Sequence, residues 1–81
     1  MTKTIHILYF AILREQRGLT EESVETQADT PLQLYHELRE RHGFTLGPRE
    51  LKVAINDEFQ GWETALSDQA RIAFLPPVAG G

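Results

Sequence analysis

Residues 4–10 read TIHILYF, a β-branched and aromatic run in which Ile5, Ile7 and Tyr9 share one face and His6, Leu8 and Phe10 the other. Alternation of this kind predicts a strand, and apolar side chains on both faces predict a strand inside a sheet. Such a strand needs neighbours on both edges and a layer against at least one face, so the rest of the chain must supply both.

The covering layer is announced by DTPLQLYHELRERHG. Thr30 is placed to cap the first turn, Pro31 suits the first helical position, and Gln33 stands three residues after Thr30 as in a capping box. Leu34, Tyr35 and Leu38 make an apolar stripe at helical spacing, Glu37 and Arg41 are spaced to pair on the wet side, and Gly43 supplies a left-handed stop. A shorter helix is expected in AILREQRG, closed by Gly18. ESVET, residues 22–26, predicts a polar outer strand with the single apolar Val24. LKVAIN predicts a strand with Val53 and Ile55 on one face, followed by a turn at Asn56-Asp57. Phe59 and Trp62 fall in a short, turn-interrupted stretch. RIAFL is the final strand, which Pro76-Pro77 ends because two missing amide hydrogens cannot continue a ladder. The expected architecture is α+β, one main helix packed across a single mixed sheet, which is the order of a ubiquitin-like β-grasp. Residues 1–75 form the domain and residues 76–81 an extended tail.

Composition narrows the function. At 81 residues there is one domain, and 41% apolar with 25% charged residues is the balance of a folded soluble chain. The net charge is -4, with acids spread from Glu21 to Asp68 and no basic stripe, which argues against nucleic acid and for a partner with a basic docking surface. There is no cysteine, so disulfides, thiolate metal sites and a cysteine nucleophile are excluded. The amino terminus lacks the pattern of a signal peptide and no apolar run approaches a membrane span, so a cytoplasmic protein is expected. His6, His36 and His42 are well separated and read as solvated or capping groups, not as a metal site. Arg14-Glu15 reads as a solvated pair, and Trp62 as packing or interface.

The tail FLPPVAGG carries the chemistry. Pro76-Pro77 predict a stiff, polyproline-like stem, and six residues beyond Leu75 reach on the order of 20 Å when extended. Gly80 and Gly81 have no Cβ and can pass a channel too narrow for other residues. A carboxylate at the tip is a poor electrophile, so its use as an acyl group requires activation, most simply by ATP to an acyl-adenylate. An amine would then give an isopeptide bond, and a sulfur donor a thiocarboxylate. Both steps need a separate enzyme.

YFAILREQRG, LKVAIND and RIAFLPPVAGG together resemble, in order and over the whole length, the MoaD-type sulfur carriers, small subunits of molybdopterin synthase. The resemblance implies a β-grasp fold and a role in molybdenum cofactor biosynthesis as a non-catalytic sulfur-donor subunit. It implies a MoeB-type enzyme that uses ATP to adenylate Gly81, a sulfurtransferase system that makes the thiocarboxylate, and a MoaE-type large subunit where sulfur passes to cyclic pyranopterin monophosphate. Two small and two large subunits are the implied assembly, with no cofactor or metal bound by the carrier. By the same resemblance Gly81 bears the reactive group, Gly80 and Ala79 line the slim tip, Val78 and Pro77 pack at the tunnel entrance, and Pro76 is a further binding residue. Leu75 and Phe74 are candidates for apolar contact with both partners, Phe74 equally for the core. Tyr9 stands where the family often has Phe, and Ala79 where Ser or Thr is common, so no hydroxyl is available at that point of the tunnel. The competing readings are a ubiquitin-like protein modifier, a sulfur carrier for thiamine or transfer RNA, and a plain interaction module.

Overall fold

The computed structural model describes residues 2–77. Five strands and two helices follow in the order β1 (Lys3–Tyr9), α1 (Ala11–Arg17), β2 (Glu21–Thr26), α2 (Pro31–His42), β3 (Lys52–Ile55), β4 (Glu58–Gln60) and β5 (Arg71–Leu75), with a 3-10 turn at Pro48–Glu50 before β3. The sheet order is β2-β1-β5-β3-β4. β1 runs parallel to β5, and the other neighbouring pairs are antiparallel. β1 is therefore interior and β2 an edge, as their apolar patterns predict. The single parallel pair makes the sheet mixed, and α2 crosses one face, giving the ubiquitin-like β-grasp arrangement.

Local chemistry explains the boundaries. Thr30 accepts a hydrogen bond from the Gln33 amide at 3.2 Å, and Gln33 Oε1 accepts from the Asp29 amide at 2.8 Å, one residue earlier than in a strict capping box. Gly18 and Gly43 close the two helices at φ 81° and 72°, where a Cβ would be strained. Asn56 and Asp57 both adopt positive φ, 51° and 71°, as a tight hairpin between β3 and β4 requires. β4 itself is a fifth strand within the stretch read as turn-interrupted, since three residues carry too little alternation to announce themselves. The pairing of Glu37 with Arg41 is replaced by a tertiary contact: the Thr26 hydroxyl donates to Glu37 at 2.7 Å, tying α2 to the end of β2.

The core lies between α2 and the sheet face built from Ile5, Ile7, Val53, Ile72 and Phe74, each 2% exposed or less. Leu34, Tyr35 and Leu38 meet it from the helix. Tyr35 lies tilted against Phe74 with centroids 5.1 Å apart, and Trp62 stacks on Phe74 at 5.8 Å. Trp62 is thus packing, the first of its two expected roles. No helix of the described residues is long and apolar enough to cross a membrane.

Candidate functional site

The tail begins at the end of β5, the central strand, which is hydrogen-bonded to β1 on one side and β3 on the other. A stem rooted on a central strand has a firmly held base. Leu75 and Pro76 are half-buried and Pro77 is exposed. Val78, Ala79, Gly80 and Gly81 lie outside the described residues. Phe74 is fully buried between Tyr35 and Trp62, so of its two expected roles the core is the one observed. Leu75, next in the strand, points to the opposite face, as the pleat requires.

That opposite face has no helix over it, and the strand registers show what it presents. Leu8 pairs with Ala73, Ala73 with Ala54, and Ala54 with Phe59, giving an apolar row across four strands. One pleat further, Leu75 lies opposite Lys52. Phe10, extended at φ -129° and ψ 148°, continues the outward alternation of Leu8 and is 40% exposed. Phe59 is 71% exposed, the most exposed of the large apolar side chains. Between Phe59 and the stem runs a groove of about 690 Å³, lined by Phe59, Leu75, Pro76 and Pro77 with Arg49, Glu50 and Lys52 at its side. A contiguous apolar patch beside Pro76 and Pro77 has the character of a docking surface.

Sequence reasoning named Leu75, Pro76 and Pro77 but not Leu8, Phe10, Ala54, Ala73 or Phe59. A signal was present in TIHILYF, whose second apolar face contains Leu8 and Phe10. That second face marks an interior strand, yet alternation cannot tell a face covered by a helix from one left for a partner.

Two polar clusters flank the site. On the open face His6 is held through both ring nitrogens, Nδ1 2.7 Å from Ser23 Oγ and Nε2 2.9 Å from Gln69 Oε1, beside a hollow of about 420 Å³ that Arg71 and Glu21 also line. At the end of β1, the Tyr9 hydroxyl donates to Glu22 at 2.6 Å, and Arg17 donates to both oxygens of the same carboxylate at 2.8 Å. The Arg17 guanidinium holds the Glu22 carboxyl below its ordinary range, and burial pushes the Tyr9 phenol well above its own. His42, 4.0 Å from Glu22, has its basicity lowered by burial and by Arg17. This cluster clamps β1, α1, β2 and the end of α2 together behind Phe10. His36 is an exposed residue of α2, and among the described residues no three potential metal ligands come together.

Among the described residues the arrangement around the stem is an open apolar groove with charged groups at its side. It offers an anchored stem and an apolar landing surface, which suits a chain handled by other proteins.

Comparisons with known proteins show what the chain resembles. A family model described as the ThiS family matches residues 7–81. The molybdopterin synthase sulfur carrier subunit of Escherichia coli (strain K12) is 32% identical over 82 residues, covering 95% of this chain and 99% of that protein. Subunit 1 in the complex of subunits 1 and 2 of molybdopterin-converting factor from Helicobacter pylori 26695 is similar in structure, with TM-score 0.64 and 26% identity, covering 96% of this chain and 99% of that one. The small archaeal modifier protein 1 of Methanosarcina acetivorans shares the fold at TM-score 0.79 and 24% identity, covering 100% of this chain and 99% of its own.

Proposed function

The chain belongs to the ThiS family, and from that premise we propose that it is the sulfur-carrier small subunit of a molybdopterin synthase, with Gly81 as the activated residue. The observation that supports this most directly is the match to the E. coli carrier subunit along nearly the full length of both chains. The fold alone would not decide, because a small archaeal modifier shares it.

In this reading the Gly81 carboxylate attacks the α-phosphate of ATP within a MoeB-type enzyme, pyrophosphate leaves, and an acyl-adenylate forms. A sulfur donor then displaces AMP and leaves a thiocarboxylate. The sulfur is passed to cyclic pyranopterin monophosphate inside a MoaE-type large subunit, two carriers serving two large subunits. The Helicobacter relative, whose subunit 1 is seen in complex with subunit 2, supports the existence of such a partner. What this chain's own residues contribute is placement. β5 holds the stem between two strands, Pro76 and Pro77 stiffen its exit, and the patch around Leu75 and Phe59 provides apolar area for a partner to bury. Gly80 and Gly81 present no side chain to the channel. With no cysteine in the chain, a carried sulfur would reside on the main-chain terminus.

The test is the intact mass of the protein after incubation with a MoeB-type enzyme, ATP and a sulfur source, with fragmentation to locate the change. Exchange of one oxygen for sulfur at Gly81 is the expected result. Because oxidation of Met1 adds nearly the same mass, the change must be placed on the terminus. An unchanged terminus beside an active enzyme, or a ladder of heavier isopeptide conjugates, would overturn the reading. Gly81→Ala is expected to fold normally and to lose most of its carrier activity, since the added methyl must pass the same channel.

A further inference from the structure

The chain carries twelve acidic residues against eight lysines and arginines, and a whole-molecule view would therefore assign its partners a basic docking surface. The structure distributes those charges unevenly. Beside the groove at the root of the tail, the exposed charged residues are Arg49, Glu50 and Lys52. Glu50 is turned back on its own loop, where Oε2 accepts from the Gly47 amide at 2.8 Å. Lys52 stands opposite Leu75 in the register, with Nζ 6.0 Å from the centre of the Phe59 ring. Two cations thus border the apolar patch against one carboxylate, whose charge stays but is drawn toward the Gly47 amide.

Several acids are engaged elsewhere. Glu22 is clamped by Arg17, Asp29 lies 3.2 Å from Lys3, Glu37 accepts from Thr26 and Asp68 accepts from the Thr4 amide. Asp57 is 3.9 Å from Arg71, on the far side of the open face from the stem. The molecule is acidic as a whole and basic where the tail begins.

We infer that the protein surface received by this groove is acidic at its rim: an apolar centre that takes Phe59, Leu75 and the prolines, bordered by Asp or Glu side chains facing Arg49 and Lys52. The inference rests on the carrier reading and specifies the chemistry of the partner at that same site. A basic rim would set like charges against Arg49 and Lys52, and a purely apolar one would strip water from two cations without replacing it. Only carboxylates both complement the charge and fix the orientation of the tail. At separations beyond about 10 Å, salt screens the charge of the whole chain, whereas contacts at the groove are screened much less. The local pair therefore outweighs the total.

The two assignments predict opposite signs. Arg49→Glu combined with Lys52→Glu makes the chain still more acidic, so a partner chosen by total charge would bind the variant more tightly, and a partner with an acidic rim would bind it more weakly. The occupant is the large subunit of the carrier reading, and the experiment measures binding of the wild-type chain, this double variant and Glu40→Lys, on the helix layer, to the purified MoaE-type large subunit of the same organism. All three proteins are first compared by thermal unfolding, and both substituted groove residues are exposed. The expected result is at least a tenfold loss for the double variant and a change within twofold for Glu40→Lys. Equal or tighter binding by a folded double variant would overturn the acidic rim and leave the carrier reading standing. Wild-type protein that does not bind the large subunit would overturn the carrier reading, and the inference with it.

Discussion

The two faces of the sheet are made by alternate residues of the same strands and serve opposite ends. On the helix side Ile5, Ile7, Ile72 and Phe74 show no exposure at all, and the side chains of α2 fill the space against them. On the other side Leu8, Ala73 and Ala54 are half-buried and Phe59 is largely open to water. Phe74 and Leu75 are adjacent in sequence, yet one anchors the fold and the other borders the tail. An apolar residue in this domain therefore has no role until its face is known.

The comparison breaks most visibly at Phe74. Truncation to alanine should cost about 3–5 kcal/mol, which at roughly 4–8 °C per kcal/mol for a domain of this size lowers the melting temperature by at least about 12 °C. Leu38→Asp, which buries a charge under α2, should unfold much of the domain in the same assay. Phe59→Ser is the matched test on the open face. Its stability should change by no more than about 0.5 kcal/mol, while partner binding measured by calorimetry should weaken on the order of tenfold or more. Equal loss of stability in the two aromatic variants would dissolve the distinction between the faces.

The Tyr9–Glu22–Arg17 clamp lies at the margin between core and surface, and its effects are smaller. Glu22→Gln removes a carboxylate that accepts from both Tyr9 and Arg17, and should cost about 1.5–3 kcal/mol in denaturant unfolding. The pH dependence has a defined sign. His42 and Glu22 both bind protons less readily in the folded chain than in the unfolded one. Stability should then fall on acidification, first below about 6.5 as the unfolded histidine takes up its proton, and again below about 4.5 as the unfolded carboxylate does. His42→Gln should abolish the first step and keep the second. Smallest of all, Asp57→Gly should stabilise by up to about 1 kcal/mol, because a side chain at φ 71° is strained and the residue lies far from the clamp.

Much of the fold was legible in the sequence because its signals are local. The Thr30 cap, the stripe Leu34, Tyr35 and Leu38, the stops at Gly18 and Gly43, and the alternation in TIHILYF and RIAFL each depend on a few neighbouring residues. β4 was not legible, since its three residues become a strand only through pairing with β3. Pro76 and Pro77 stand out by their backbone chemistry and Leu75 through the family resemblance, and all three line the groove. Phe59, Leu8 and Phe10 were not found, because nothing local distinguishes an apolar side chain kept for a partner from one kept for the core.

By itself, then, the sequence determined the kinds and order of every element but β4 and the lack of a cysteine side chain, which follow from backbone preference, periodicity and composition. Tertiary structure alone decided which face of the sheet α2 covers, that β5 lies at its centre beneath the tail, and that Arg49 and Lys52 border the groove of an otherwise acidic molecule. The physical reason is the same in each case. Local conformation depends on residues a few positions apart, whereas burial and electrostatic field depend on residues such as Leu8, Lys52 and Leu75, which are brought side by side only when the sheet closes.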